Sequence, residues 1–160
     1  MIEISFKAFH DQDYRERGYK LYVLKNGNED VLYVGISTRS IWERWFGMNG
    51  HILWTDRYAT GESEVGQKVV DHLPDSLQWK IQLWTLKDCI SFCKDMLPSK
   101  RSSPMIQFVE PLMIQKLSPA LNVACNLHPG KDTTPISERE KLRKKLLDDA
   151  YDKVFNHQDN

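Results

Sequence analysis

Leu21-Tyr22-Val23-Leu24-Lys25-Asn26-Gly27-Asn28-Glu29-Asp30-Val31-Leu32-Tyr33-Val34-Gly35 reads as two β-rich runs joined by a polar turn. Asn and Gly tolerate positive φ, the backbone state that a tight reversal between strands demands. Apolar β-formers on both sides of such a turn predict an antiparallel hairpin. Each strand carries one tyrosine, Tyr22 and Tyr33. Tyrosine is an ordinary strand residue, so neither has a special role on this pattern alone.

Outward from the hairpin, Ser40 with Glu43 three residues on is a capping-box pattern and predicts a helix from Ile41. Ile41, Trp42, Trp45 and Phe46 then share a broad apolar face, and Gly47 and Asn49-Gly50 stop the helix early. The segment 51–63 reads as irregular. A helix is expected from Glu64 to Leu73, ended by Pro74, then a strand over Leu77 to Thr85, where apolar residues alternate. Lys87 to Met96 is helix-like. Ser103 and Pro104 mark the start of a further helix to about Leu117. Met1 to Phe9 suggests a short strand, and Asp11 to Lys20 a solvated loop. At the other end, Ser137 with Glu140 predicts a last helix. Leu142, Leu146, Ala150 and Val154 recur every four residues there, a stripe expected to dock on the body or on a partner.

A chain of 160 residues with 41% hydrophobic and 28% charged residues fits one domain with a real core. Residues 19–126 are expected to form the core of that domain, and 127–160 a loop plus the C-terminal helix. No apolar run approaches the roughly 20 residues that span a bilayer. The N-terminus has neither the basic nor the apolar region of a secretory signal. With three cysteines, an odd number, the simplest expectation is a reduced, cytoplasmic protein without membrane contact. Formal net charge is zero, which excludes a strong global field for nucleic acid. Binding of that kind needs a local patch, and Lys100-Arg101 before the penultimate helix is the candidate.

Glu110 is out of place on that helix. It falls four residues after Ile106 and three before Met113, on their apolar face. It is either a stripe-edge carboxylate capped by Lys or Arg, or an inward carboxylate for metal binding or acid–base work. Pro111 beside it removes one helical hydrogen bond and is expected to kink the helix. Cys89 and Cys93, four apart on one helix, read as buried thiols rather than the start of a zinc site.

Taken in order, these residues resemble the GIY-YIG nuclease superfamily. Lys20-Leu21-Tyr22 and Tyr33-Val34-Gly35 stand where that family has its two triplets, with Lys20 replacing the first glycine. Arg44 stands for the arginine of the following helix, Glu110 for the helical glutamate, and Pro119-Ala120-Leu121-Asn122 for the asparagine after it. The resemblance spans about Leu21 to Asn122. It implies an α+β fold: a small, mostly antiparallel three-stranded central sheet flanked by helices, here with the C-terminal helix added.

It also implies divalent-metal-dependent hydrolysis of DNA phosphodiester bonds. Glu110 would hold one Mg²⁺ or Mn²⁺. Arg44 would bind the scissile phosphate, as Lys100 and Arg101 would the backbone. Tyr22 would activate or aim the water, and Tyr33 would orient phosphate or water. Asn122 would hold the site together, while Gly35 lets the backbone pass closely. His51, seven residues after Arg44, either assists proton transfer or is a surface histidine. Lys25 could lower the Tyr22 pKa, although an exposed turn lysine is the reading we favour. The implied partner is double-stranded or branched DNA. The absence of a targeting module leaves room for a homodimer or a targeting protein. The rival reading is a catalytically weak member that serves as a nucleic-acid-binding or protein-interaction module.

Overall fold

The computed structural model describes residues 1–12, 18–98 and 104–156. Among these the architecture is α+β, and its centre is the hairpin. Strands β2 (Tyr19–Lys25) and β3 (Val31–Ile36) pair antiparallel, with Tyr22 opposite Gly35 and Val23 opposite Val34. The positive φ expected of Asn26-Gly27 falls instead on Glu29, at 65°, and Asn26 shapes the turn through its side chain, whose oxygen accepts from the backbone N–H groups of Asn28 and Asp30, each at 2.9 Å.

The expected three-stranded sheet has a fourth member. Strand β1 (Ile2–Ser5) pairs antiparallel with β6 (Lys80–Thr85), and β6 pairs antiparallel with β2, so the order is β1-β6-β2-β3. Residues 6–9, expected to continue the first strand, instead begin helix α1 (Phe6–Asp11). Ser5 caps that helix by accepting from the Ala8 N–H at 3.1 Å, which turns the chain off the sheet and buries Phe6 and Phe9.

Alternation along β2 separates two cores, since successive side chains point to opposite faces. Tyr22 and Leu24 join Phe6, Ile41, Trp45, Ile52, Val65 and Val69 on one face. Leu21 and Val23 join Val34, Trp84, Cys89, Cys93, Val109 and Met113 on the other. The first core is covered by α1, α2 (Ile41–Phe46) and α3 (Glu64–Asp71), the second by α4 (Leu86–Phe92) and α5 (Ile106–Leu117). The expected capping box of α2 forms, whereas Ser103, expected to cap α5, lies outside the described residues. Ser40 accepts from the Glu43 N–H at 3.1 Å while the Glu43 carboxylate accepts from the Ser40 N–H at 3.3 Å. Helix α5 runs on as one element through Pro111.

The segment 51–63 is not irregular. Ile52–Trp54 (β4) and Ala59–Gly61 (β5) make a separate two-stranded hairpin. Beyond α5, residues 120–122 run along the open edge of β3. Ala120 and Leu121 donate their N–H groups to the Val31 and Leu32 carbonyls at 3.0 and 2.8 Å. Backbone groups on a free strand edge need such partners.

Helix α6 (Glu138–Phe155) starts at its Ser137 cap as expected, but its stripe does not dock on the body. Only its start is attached. Ser137 donates to the Asp71 carbonyl at 2.5 Å, and Arg143 reaches the Asp71 carboxylate at 3.0 Å. No residue of the helix is buried. No helix among the described residues is long and apolar enough to cross a membrane.

Candidate active site

The site is assembled where the first core meets the open edge of β3. Tyr22, on β2, is only 1% exposed, and its hydroxyl lies 2.6 Å from His51 Nε2. Its ring passes directly over Gly35 on the neighbouring strand, where a Cβ would overlap the tyrosine hydroxyl. Gly35 is therefore a close-approach glycine. Trp45 walls the pair from the helix side, its ring 5.7 Å from Tyr22 and 4.8 Å from His51.

His51 is buried rather than a surface histidine. Two local contacts hold it. Its N–H donates to the Arg44 carbonyl at 3.1 Å, which folds the loop after α2 back onto that helix. Its Nδ1 lies 2.6 Å from Ser63 Oγ, the cap of α3, which also accepts from the Gly66 N–H at 3.2 Å. A Cβ on Gly66 would strike the His51 carbonyl, so glycine there lets the start of α3 close on the histidine.

The Arg44 guanidinium lies near enough to pull the Tyr22 phenol's pKa down against the effect of burial. The Tyr22 hydroxyl, the His51 ring and the Ser63 hydroxyl form one hydrogen-bonded chain, in which a neutral imidazole donates from one ring nitrogen and accepts at the other.

Electrostatics keep that chain neutral. Burial pushes the Tyr22 phenol well above its ordinary pKa, with Tyr33 and Glu110 adding to the rise and Arg44 opposing it. Burial pushes His51 down to about 4, with Arg44 and Arg39 contributing. Tyr33 is raised by burial, again against the pull of Arg44 and with Glu110 and Glu64 adding. Between about pH 4 and 10 the resting state is a phenol beside a neutral imidazole.

In front of this buried layer lies an accessible one. Tyr33, Arg44 and Glu110 are each partly exposed. Tyr33, Glu110 and Asn122 line one cavity of about 230 Å³ with Pro111, Ile114 and Leu121. Glu110 is the half-buried carboxylate expected from the α5 stripe. Burial raises its pKa, and among the described residues no hydrogen bond or ion pair engages it. Asn122 has its side-chain amide engaged by the backbone. Its side-chain oxygen accepts from the Val34 N–H at 2.9 Å and its amide donates to the Val34 carbonyl at 2.8 Å. It continues the edge pairing of residues 120–121 with a side chain and so fixes the strand between Tyr33 and Gly35.

Other candidates lie elsewhere. Lys25 is not an exposed turn lysine: it ends β2 with its side chain only 20% exposed, and it pairs with Glu3 at 3.3 Å and Glu29 at 3.4 Å, away from Tyr22's hydroxyl partners. Cys89 and Cys93 are buried, and Cys93 Sγ contacts Met113 Sδ at 3.4 Å. Lys100 and Arg101 lie outside the described residues. Among the described residues no three His, Cys, Asp or Glu side chains gather as a metal cluster. A cavity of about 560 Å³ lies away from the tyrosines, between the hairpin turn, the end of α3 and residues 134–139. Its buried His72 and Asn26 are already paired, His72 with the Lys68 and Pro135 carbonyls and Asn26 with Asp30 and Thr134. It is a seam between segments.

Sequence reasoning missed Ser63, Glu64 and Arg39. Ser63 had a usable signal, a serine immediately before a helical run. The other two act at a distance and carry none. No protein-family model, curated protein or solved structure matches this chain.

Proposed function

We propose that this chain is a divalent-metal-dependent endonuclease hydrolysing DNA phosphodiester bonds, with a sheet and helices that vary the GIY-YIG arrangement. The observation that supports this reading is the two-layer convergence: accessible Tyr33, Arg44 and Glu110 in front of the buried Tyr22–His51–Ser63 chain. Six separate places along the chain supply these side chains, and few needs other than catalysis or ligand binding would bring a free carboxylate, an arginine and two phenols together.

Arg44 binds the scissile phosphate, where its planar donors suit paired phosphate oxygens. Tyr33 positions the phosphate and the attacking water at the cavity wall. The water oxygen bonds phosphorus as the bond to the 3′ oxygen breaks. Its proton passes to the Tyr22 oxygen while Tyr22 hands its own proton to His51 Nε2.

A phenol alone is too weakly acidic to serve as phenolate here, so the relay replaces the charged base. His51 is a reluctant acceptor at rest because of burial and Arg44. Negative phosphate against Arg44 offsets that charge and raises the imidazole's affinity for the proton. Tyr22 thereby shares with His51 the task expected of it alone.

Glu110 suits a single Mg²⁺ or Mn²⁺. One carboxylate is enough for an ion that completes its shell with waters and phosphate oxygens, and a half-buried carboxylate without a partner gains from a cation. When bound, the cation supplies Lewis-acid neutralisation of the leaving oxygen.

The test incubates the protein with plasmid and branched oligonucleotides in Mg²⁺ or Mn²⁺, beside Glu110→Gln and Arg44→Ala. Wild type should cut, and each variant should lose about 100-fold or more, the scale of one electrostatic contact to a developing charge. Equal cutting by wild type and Glu110→Gln would sink the mechanism. Binding without cutting by wild type favours the rival, a binding module, for which the deep burial of Tyr22 speaks.

A further inference from the structure

Helix α6 leaves the body after its second turn. Residues 144–156 are all exposed, which is roughly 20 Å of helix at 1.5 Å per residue. Along it Leu142, Leu146, Leu147, Tyr151, Val154 and Phe155 are each 53–62% exposed. The aromatic pair Tyr151–Phe155 stacks at the tip, ring centres 4.2 Å apart. A helix of this length is marginal in water unless an apolar face is covered, so an occupant is needed.

The charges say which occupant. Lys141, Arg143, Lys144 and Lys145 form a basic block, and Asp148, Asp149 and Asp152, with Lys153 among them, form an acidic one. The acids of the first turn are taken locally, Glu138 by Lys141 at 2.9 Å, while Glu140 lies 3.6 Å from His72. Acidic residues toward a helix C-terminus oppose the macrodipole. Within one helix, Lys four residues before Asp is the weaker orientation of an ion pair. The block order therefore does little for a lone helix. It is self-complementary when a second α6 runs the opposite way, because each basic block then meets the other's acidic block. A parallel pair would set like against like.

We propose that α6 is a homodimerisation element, in which the projecting helices of two copies pack antiparallel through the Leu146–Leu147 region about a two-fold axis. Such an interface is isologous and closed, so it stops at two copies. The leucines supply the apolar seam. Lys144 and Lys145 of each copy lie beside Asp148 and Asp149 of the other. The proposal is independent of the nuclease reading.

Sedimentation velocity on the full chain tests it. Wild type should sediment as a dimer that dissociates on dilution. Lys144→Glu with Lys145→Glu should weaken self-association about tenfold or more, since each exposed pair is worth a fraction of the free energy of a tenfold change and four are reversed. Adding Asp148→Lys and Asp149→Lys to that variant should restore the dimer, because the blocks are again complementary. All four positions are exposed, and far-UV circular dichroism checks that helix content is kept. A monomeric wild type would overturn the proposal. So would an unchanged dimer in the first variant, or a helical four-site variant that stays monomeric.

Discussion

Arg44 is the residue through which the rest of the site is coupled. Its charge opposes the rise that burial imposes on the Tyr22 and Tyr33 phenols and adds to the lowering of the His51 imidazole. His51 in turn carries a stability cost that can be measured. Its pKa in the folded chain is about 4, against 6.5 for an unperturbed histidine. Between these values the unfolded chain binds more protons than the folded one, so stability falls as pH drops from 6.5 toward 4. The loss attributable to this group is on the order of 2–3 kcal/mol. Urea unfolding across that range should show the loss in wild type and a shallower slope in His51→Gln. Parallel slopes would mean that the imidazole is not held neutral.

At the scale of elements, the site depends on close approaches that two glycines permit. Gly35 admits the Tyr22 ring onto β3, and Gly66 admits α3 onto the His51 carbonyl. Gly35→Ala should push Tyr22 off His51 and cost about 1–3 kcal/mol, the range for overpacking a filled core. The cost should shrink when Tyr22→Leu is already in place, because the overlapping ring and hydroxyl are gone. A double-mutant cycle by chemical denaturation reads this coupling. Additive costs would show that the two side chains do not meet. The β4–β5 hairpin belongs to the same device. It spans the distance between Arg44 and Ser63, and Glu62 donates its N–H to the His51 carbonyl at 2.8 Å, so the loop brings both partners of His51 to it.

For the whole molecule, the body and the projecting helix should behave separately. All five tryptophans precede residue 85, so their fluorescence reports the body alone. Removing residues from 144 onward should leave the unfolding midpoint of a dilute sample nearly unchanged, since surface residues away from special features contribute within about 0.5 kcal/mol. In the full chain the midpoint should rise with protein concentration, as mass action requires of a self-associating protein, and in the truncated chain it should not. A large drop in midpoint on truncation at any concentration would mean that α6 stabilises the body directly.

What could be read from the linear chain was what local chemistry dictates. The Asn26-Gly27 turn, the Ser40–Glu43 cap, the strand at β6, the stripe of α5 and the start of α6 at Ser137 each depend on residues within a few positions of one another. Glu110 was legible as an anomaly because periodicity places a carboxylate among apolar neighbours. Three outcomes needed the folded chain. His51 could not be separated from a surface histidine, because its environment comes from Tyr22, 29 residues away, and Ser63, 12 away. A short strand near the N-terminus was legible, but its pairing with β6, and so the fourth place in the sheet, was not, because the partner of an edge strand leaves no mark in four residues. The fate of the α6 stripe was open because periodicity reports that a face is apolar, not what covers it. Pairing and burial at long range are properties of the tertiary structure, and it is those that turned two unremarkable tyrosines into the two layers of one site.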